Sequence, residues 1–148
     1  MKLWILAFML PLAAWGQTVP SAYDSTLAKR LGADDYGMKT YVMAYLKRGP
    51  NRPTDKAEAS KLQQAHMANI GRLAESGKLL LAGPFLDTGQ VRGIYIFDVR
   101  TVEEAAALTA TDPAIQYGSL VMELHPWYGS AALMELNAIH QRLQRKSF

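Results

Sequence analysis

The sequence predicts an α+β fold of ferredoxin-like type: a β-α-β-β-α-β chain forming a four-stranded antiparallel sheet, with an extra C-terminal helix. Three observations predict it. Segments 39–47, 78–82, 91–100 and 119–125 are short and apolar or alternate with a period of two. Segments 54–76 and 101–109 instead follow the helical period. Their order along the chain is that of the split β-α-β unit.

Residues 1–16 read as a secretory signal peptide. Lys2 is the charged start, Leu3 to Ala14 an apolar run broken by Pro11, and Ala14 and Gly16 the small residues before a cleavage site. A run of about 12 apolar residues is short for a bilayer, which favours cleavage over the alternative of an uncleaved anchor, and no membrane association is expected once it is removed. Export to the periplasm or beyond follows. The chain has no cysteine, which excludes a lipid anchor, disulfides, thiol catalysis and thiolate metal sites. Taking 16 from 148 residues leaves a 132-residue mature chain, enough for one domain with its own core. Its net charge, +3 less Lys2, is +2, too small and dispersed for a nucleic-acid partner.

Residues 17–38 form a leader segment. Tyr23 to Leu31 is a candidate short helix, broken by Gly32 and Asp34-Asp35-Tyr36-Gly37. In the first strand, 39–47, Thr40, Val42, Ala44 and Leu46 point one way and Tyr41, Met43 and Tyr45 the other. A Gly/Pro/Asn loop, 48–53, leads into the long helix, which stops at Gly77. The second strand ends at Gly83-Pro84, and turn residues at 86–90 lead to the third. Thr101 and Glu104 form a capping box that opens the second helix. Asp112-Pro113 opens one more short turn. The fourth strand follows, and His125-Pro126-Trp127-Tyr128 is read as leaving it. A tail helix, 130–143, is apolar at Ala132, Leu136, Ile139 and Leu143, with Arg142, Arg145 and Lys146 at its negative end.

Two helices cover only one face of such a sheet. A sheet wet on its other face alternates apolar with polar residues, yet the first and third strands are mostly apolar on both sides. The second face is expected to pack on the sheet of a second copy, giving a homodimer, with the tail helix adding to the cover.

The long helix carries an anomaly. With Leu62 at zero and about 100° per residue, Leu73, Ala59 and Ile70 form an apolar stripe. His66 falls at about +40° and Asn69 at about −20°, both inside it. A polar ring there is either a satisfied core histidine or an acid/base group at the base of a pocket.

The ordered pieces Tyr41-Val42-Met43, His66-Met67-Ala68-Asn69-Ile70, Leu81-Ala82-Gly83-Pro84-Phe85, Arg92-Gly93-Ile94-Tyr95-Ile96-Phe97, Thr111-Asp112-Pro113-Ala114-Ile115 and His125-Pro126-Trp127-Tyr128-Gly129 resemble the YCII-related family of small bacterial proteins. The likeness spans a domain at 39–129; the leader and the C-terminal helix, 130–148, resemble additions of an exported subgroup. The resemblance implies a dimeric α/β barrel with a cleft between sheet and helices. It also implies a catalytic His–Asp pair, which falls here on His66 and Asp112. One relative of that family removes chloride from a chlorinated hydroxyhydroquinone, while other proteins of this barrel fold do unrelated chemistry.

By its residues alone Asp112 has two readings. Asp before Pro is a helix N-cap with Pro at the first helical position. A carboxylate beside His66 would instead fix its tautomer and raise its basicity. Asn69, Gly83, Pro84, Arg92 and Trp127 are candidate substrate-binding residues. Gly83 would let a ligand near the backbone, Arg92 would anchor an anionic group, and Trp127 would wall an aromatic pocket. Each has a plainer reading: strand-ending turn, solvated arginine, packing wedge. His66, His125 and His140 lack metal-ligand spacing, and no nucleotide or hydrolase motif occurs. Together with what the resemblance implies, the expectation is an enzyme without cofactor or metal that moves a proton by elimination or isomerisation, in a small cyclic or phenolic substrate by analogy with the family. A non-catalytic small-molecule-binding module or a structural dimer is the alternative.

Overall fold

The computed structural model describes residues 23–146. The expected signal peptide and the start of the leader, 17–22, lie outside the described residues. The chain runs α1 (Ser25–Leu31), β1 (Met38–Arg48), α2 (Lys56–Glu75), β2 (Leu79–Pro84), β3 (Val91–Phe97), α3 (Val102–Thr109), α4 (Pro113–Tyr117) and β4 (Leu120–Ser130). A 3-10 turn (Ala131–Glu135) and α5 (Leu136–Leu143) follow. The strands form one sheet in the order β2-β3-β1-β4, every neighbouring pair antiparallel. This is the ferredoxin-like arrangement.

Side-chain caps fix the helix starts. Asp24 caps α1, Asp55 accepts from the Ala57 and Glu58 amides of α2, and Thr101 caps α3. The capping box is shifted by one residue: the Glu104 carboxylate accepts from the Arg100 amide, 3.0 Å. The main core lies between the sheet and the α2/α3 layer, with Val42, Ala44, Leu46, Tyr95 and Phe97 meeting Leu73.

Three expected boundaries are corrected. β2 does not end before Gly83-Pro84: Gly83 pairs with Ile94 and Pro84 with Gly93. A Cβ on Gly93 would stand 2.5 Å from the Gly83 carbonyl oxygen, so the missing side chain lets the two backbones approach. Residues 98–100 leave β3, and the Asp98 amide donates to the Lys78 carbonyl, 2.9 Å. β4 continues past His125 to Ser130, paired with β1 from Arg48↔Leu120 to Met38↔Ser130. Pro84 and Pro126 sit on the two edge strands, where a missing N–H need not break a ladder. The tail therefore starts as a 3-10 turn, and α5 is shorter than expected.

The second face has its own cluster of Tyr41, Leu80 and Ile96, with Trp127, Leu133 and Met134 packed on it. The 3-10 turn thus covers part of that face, held by Tyr41 Oη donating to the Ser130 carbonyl (3.0 Å) and Asn137 Nδ2 to that of Leu79 (2.9 Å). Met43, Tyr45 and Ile94 stay half-buried, and Val121 is exposed. α5 buries none of its residues.

Candidate functional site

His66, Asn69 and Leu73 are the buried residues of α2, so the stripe read from the helical period is the face turned inward. His66 is 8% exposed and Asp112 1%. His66 Nδ1 stands 2.7 Å from Asp112 Oδ2. The other oxygen, Oδ1, accepts the Ala114 amide at 2.8 Å and caps α4, with Pro113 in the first turn. The two readings of Asp112 are therefore compatible: each oxygen serves one of them. Since a carboxylate only accepts, Nδ1 carries a proton, and in the neutral ring Nε2 holds the lone pair. Among the described residues Nε2 has no hydrogen-bond partner.

His66 forms part of the wall of a cavity of about 670 Å³ between α2, the β2/β3 end of the sheet and the loop after β1. That volume suits a ligand of one or two rings. The wall is largely apolar, with Leu46, Leu62, Met67, Ile70 and Leu120 contributing, and carries no acidic side chain. Asp112 lies behind His66 and does not line it.

Of the residues expected to bind substrate, Gly83, Pro84 and Arg92 line the cavity. A Cβ on Gly83 would meet nothing within 4 Å, so packing does not require glycine there. Arg92 Nη1 lies 3.2 Å from the Asp87 carbonyl oxygen in the β2–β3 turn. Asn69 and Trp127 are elsewhere. Asn69 Oδ1 accepts from Arg72 (2.6 Å) and from Thr111 Oγ1 (3.0 Å), bracing the residue before Asp112, while its buried Nδ2 lacks a partner. Trp127 pairs with Tyr41 on the opposite sheet face and lies over Gly129, where a Cβ would come within 2.1 Å of the indole.

Two residues were missed. Tyr95 lines the cavity; its hydroxyl is buried without a partner, and burial raises its pKa, with the charge of Asp112 adding to the effect. Alternation in β3 places Tyr95 with Phe97 on the helix side, which is the signal that could have found it. Arg52, in the loop after β1, also lines the cavity. Desolvation lowers its pKa first, and the like charges of Arg48 and Arg92 lower it further. Its signal is two arginines flanking a Gly-Pro loop just ahead of the helix that bears His66. The loop is fastened to the end of α4: the Gly49 amide donates to the Ser119 carbonyl (2.9 Å), that of Asn51 to Gly118 (3.1 Å), and Asn51 Nδ2 to Tyr117 (3.0 Å).

A family model described as the YCII-related domain matches residues 41–128, more than half of the chain. The chain belongs to the YCII-related family. The matched stretch contains the His66–Asp112 pair and every residue that lines the cavity. No curated protein matches the sequence. A similar solved structure is 5-chloro-2-hydroxyhydroquinone dehydrochlorinase from Burkholderia phenoliruptrix AC1100, in complex with 2,5-dihydroxybenzoquinone. It is 20% identical, with 59% of this chain and 92% of that one covered and a TM-score of 0.45. The overlap is too loose to transfer its chemistry.

Proposed function

We propose that this YCII-related protein is an enzyme that moves a proton within a small cyclic substrate, with His66 as the acid/base and Asp112 as its positioning residue. One observation carries the reading: an imidazole in a cavity wall has one nitrogen tied to a buried carboxylate at 2.7 Å and the other free. Nε2 takes a proton from carbon next to a carbonyl or phenol-derived oxygen. The C–H electron pair then either forms a new double bond as a leaving group departs as its anion, or shifts the double bond before the proton returns to another carbon. The Asp112 carboxylate stabilises the imidazolium and holds the ring's orientation. The chain's own residues suffice for both outcomes.

Three further parts belong to the same proposal. Export, supported by the apolar run at 3–14, puts the site outside the cytoplasm. A homodimer is supported by the partly uncovered second face at Met43, Tyr45, Ile94 and Val121; light scattering is expected to give twice the chain mass, and a monomer at micromolar concentration refutes it. A small-molecule partner is supported by the size and apolar wall of the cavity.

The deciding experiment is a thermal-shift screen of phenols, quinones and lactones, with binders passed to a turnover assay. His66→Asn is expected to keep the fold and ligand affinity and to lose turnover by about 100-fold or more. Unchanged turnover in His66→Asn refutes the reading. Binding without turnover of any ligand makes the cavity a binding site only.

A further inference from the structure

Arg52 and Arg92 line the same cavity, and neither has a carboxylate counterpart. Among the described residues every ion pair uses other side chains: Arg30–Glu135, Lys39–Asp98, Lys47–Glu123, His66–Asp112 and His125–Glu123. The cavity wall to which Arg52 and Arg92 belong holds no acid either. Two like charges on one cavity wall repel unless an anion joins them, and Arg48 and Arg92 are both close enough to add to the lowering of the Arg52 pKa that its desolvation begins. The cluster is not a flexible accident. Arg92 is held by the β2–β3 turn, and the Arg52 loop is fastened to α4 at Gly49 and Asn51. Glycine is required at 49, where a Cβ would stand 2.2 Å from the Gly118 carbonyl oxygen. Arg52 is exposed and Arg92 half-buried, so they stand toward the opening, while His66 is buried.

We infer that the cavity selects a ring compound bearing a carboxylate, with Arg52 and Arg92 gripping the carboxylate and the ring lying on the apolar wall toward His66. A guanidinium matches a carboxylate with two parallel hydrogen bonds, and this contact fixes which ring atom reaches Nε2. The inference rests on the proposed reading of the cavity and names its substrate class. Arg52 and Arg92 are specificity-determining residues; the proton-moving role stays with His66.

The test uses a matched pair of probes, 4-hydroxybenzoate and its neutral isostere 4-hydroxybenzamide, titrated calorimetrically into the full chain. The carboxylate is expected to bind at least about ten-fold more tightly, with the preference weakening as salt is added. Arg52→Gln with Arg92→Gln is expected to bring the preference close to unity, and Arg52→Lys to keep part of it. Lys47→Gln, a charge change paired with Glu123 away from the cavity, is expected to leave it intact and so separates a local effect from net charge. Circular dichroism checks the fold of each variant. No carboxylate binding to the wild type, equal affinity for the two probes, or a preference that survives in the folded double variant overturns the inference. His66→Asn is expected to retain the preference, so a failed turnover assay and a failed carboxylate test are read separately.

Discussion

Asp112 does two jobs with two oxygens, and replacing it in two ways separates them. Asp112→Ala removes the cap of α4, costing about 1 kcal/mol, and the charge-assisted bond to the buried ring, costing about 1.5–3 kcal/mol. Together they destabilise the fold by about 2.5–4 kcal/mol, a fall in Tm of roughly 10 °C or more for a domain of this size. Asp112→Asn keeps one oxygen, which the Ala114 amide claims as its cap. The amide NH2 then faces His66 Nδ1, and two donors cannot meet. The ring must accept at Nδ1 and carry its proton on Nε2. Stability is expected to fall by only about 1 kcal/mol, because cap and ring both keep a partner. Turnover is expected to fall as far as in His66→Asn, because the nitrogen facing the cavity no longer holds a lone pair. Urea unfolding measures the stabilities, and the 15N shifts of the imidazole report which nitrogen is protonated. Equal destabilisation by Asn and Ala, or an unchanged tautomer in Asp112→Asn, refutes this account of the pair.

Other consequences are equally open to measurement. Tyr95→Phe deletes a buried hydroxyl that has no partner and is expected to stabilise the fold by about 1 kcal/mol; a lower urea midpoint would mean that the hydroxyl is satisfied. Gly49→Ala forces a Cβ to within 2.2 Å of the Gly118 carbonyl oxygen and is expected to cost about 1–3 kcal/mol, weakening carboxylate binding as the Arg52 loop shifts; a neutral effect on both refutes the fastening role of that contact. The Tyr128 hydroxyl, followed by the Met38 amide, holds the Asp34 carboxyl below its ordinary value of 3.8. A lowered folded pKa gives stability that is full above the unfolded value and lost as pH falls through the folded one. The Tm advantage of wild type over Tyr128→Phe is therefore expected above about pH 4 and to fade below it; a gap that persists to about pH 2 contradicts the assignment.

The parts of the site that were legible are those fixed by short-range rules. His66 shows because helical periodicity puts a ring on the apolar face. Asp112 shows because Asp-Pro is a capping pair whichever role it plays. The six sheet and helix elements emerge from period and order. What failed depends on chain segments meeting across the fold. Arg52 reaches the cavity only because its loop is fastened to the end of α4, a contact between residues more than sixty positions apart. Trp127 walls an aromatic pocket only if the stretch from His125, with Pro126 and then Gly129, leaves the strand. On an edge strand neither breaks the pairing, and extending the alternation of Val121, Glu123 and His125 puts Trp127 on the sheet face away from His66. The cover expected from a tail helix at 130–143 comes in part from Leu133 and Met134 of the 3-10 turn, because β4 runs on to Ser130.

The five residues of α4 bridge the two ends of the chemistry. Its first turn is anchored by the acid that steers the imidazole, and Tyr117 at its end, with Gly118 and Ser119 just after, supplies the carbonyls that seat the guanidinium loop. A deletion or insertion between 113 and 118 would shift the Arg52 loop relative to the His66–Asp112 pair. Homologous chains that handle different guests are therefore expected to preserve the length of this segment and to diversify by exchanging side chains around it.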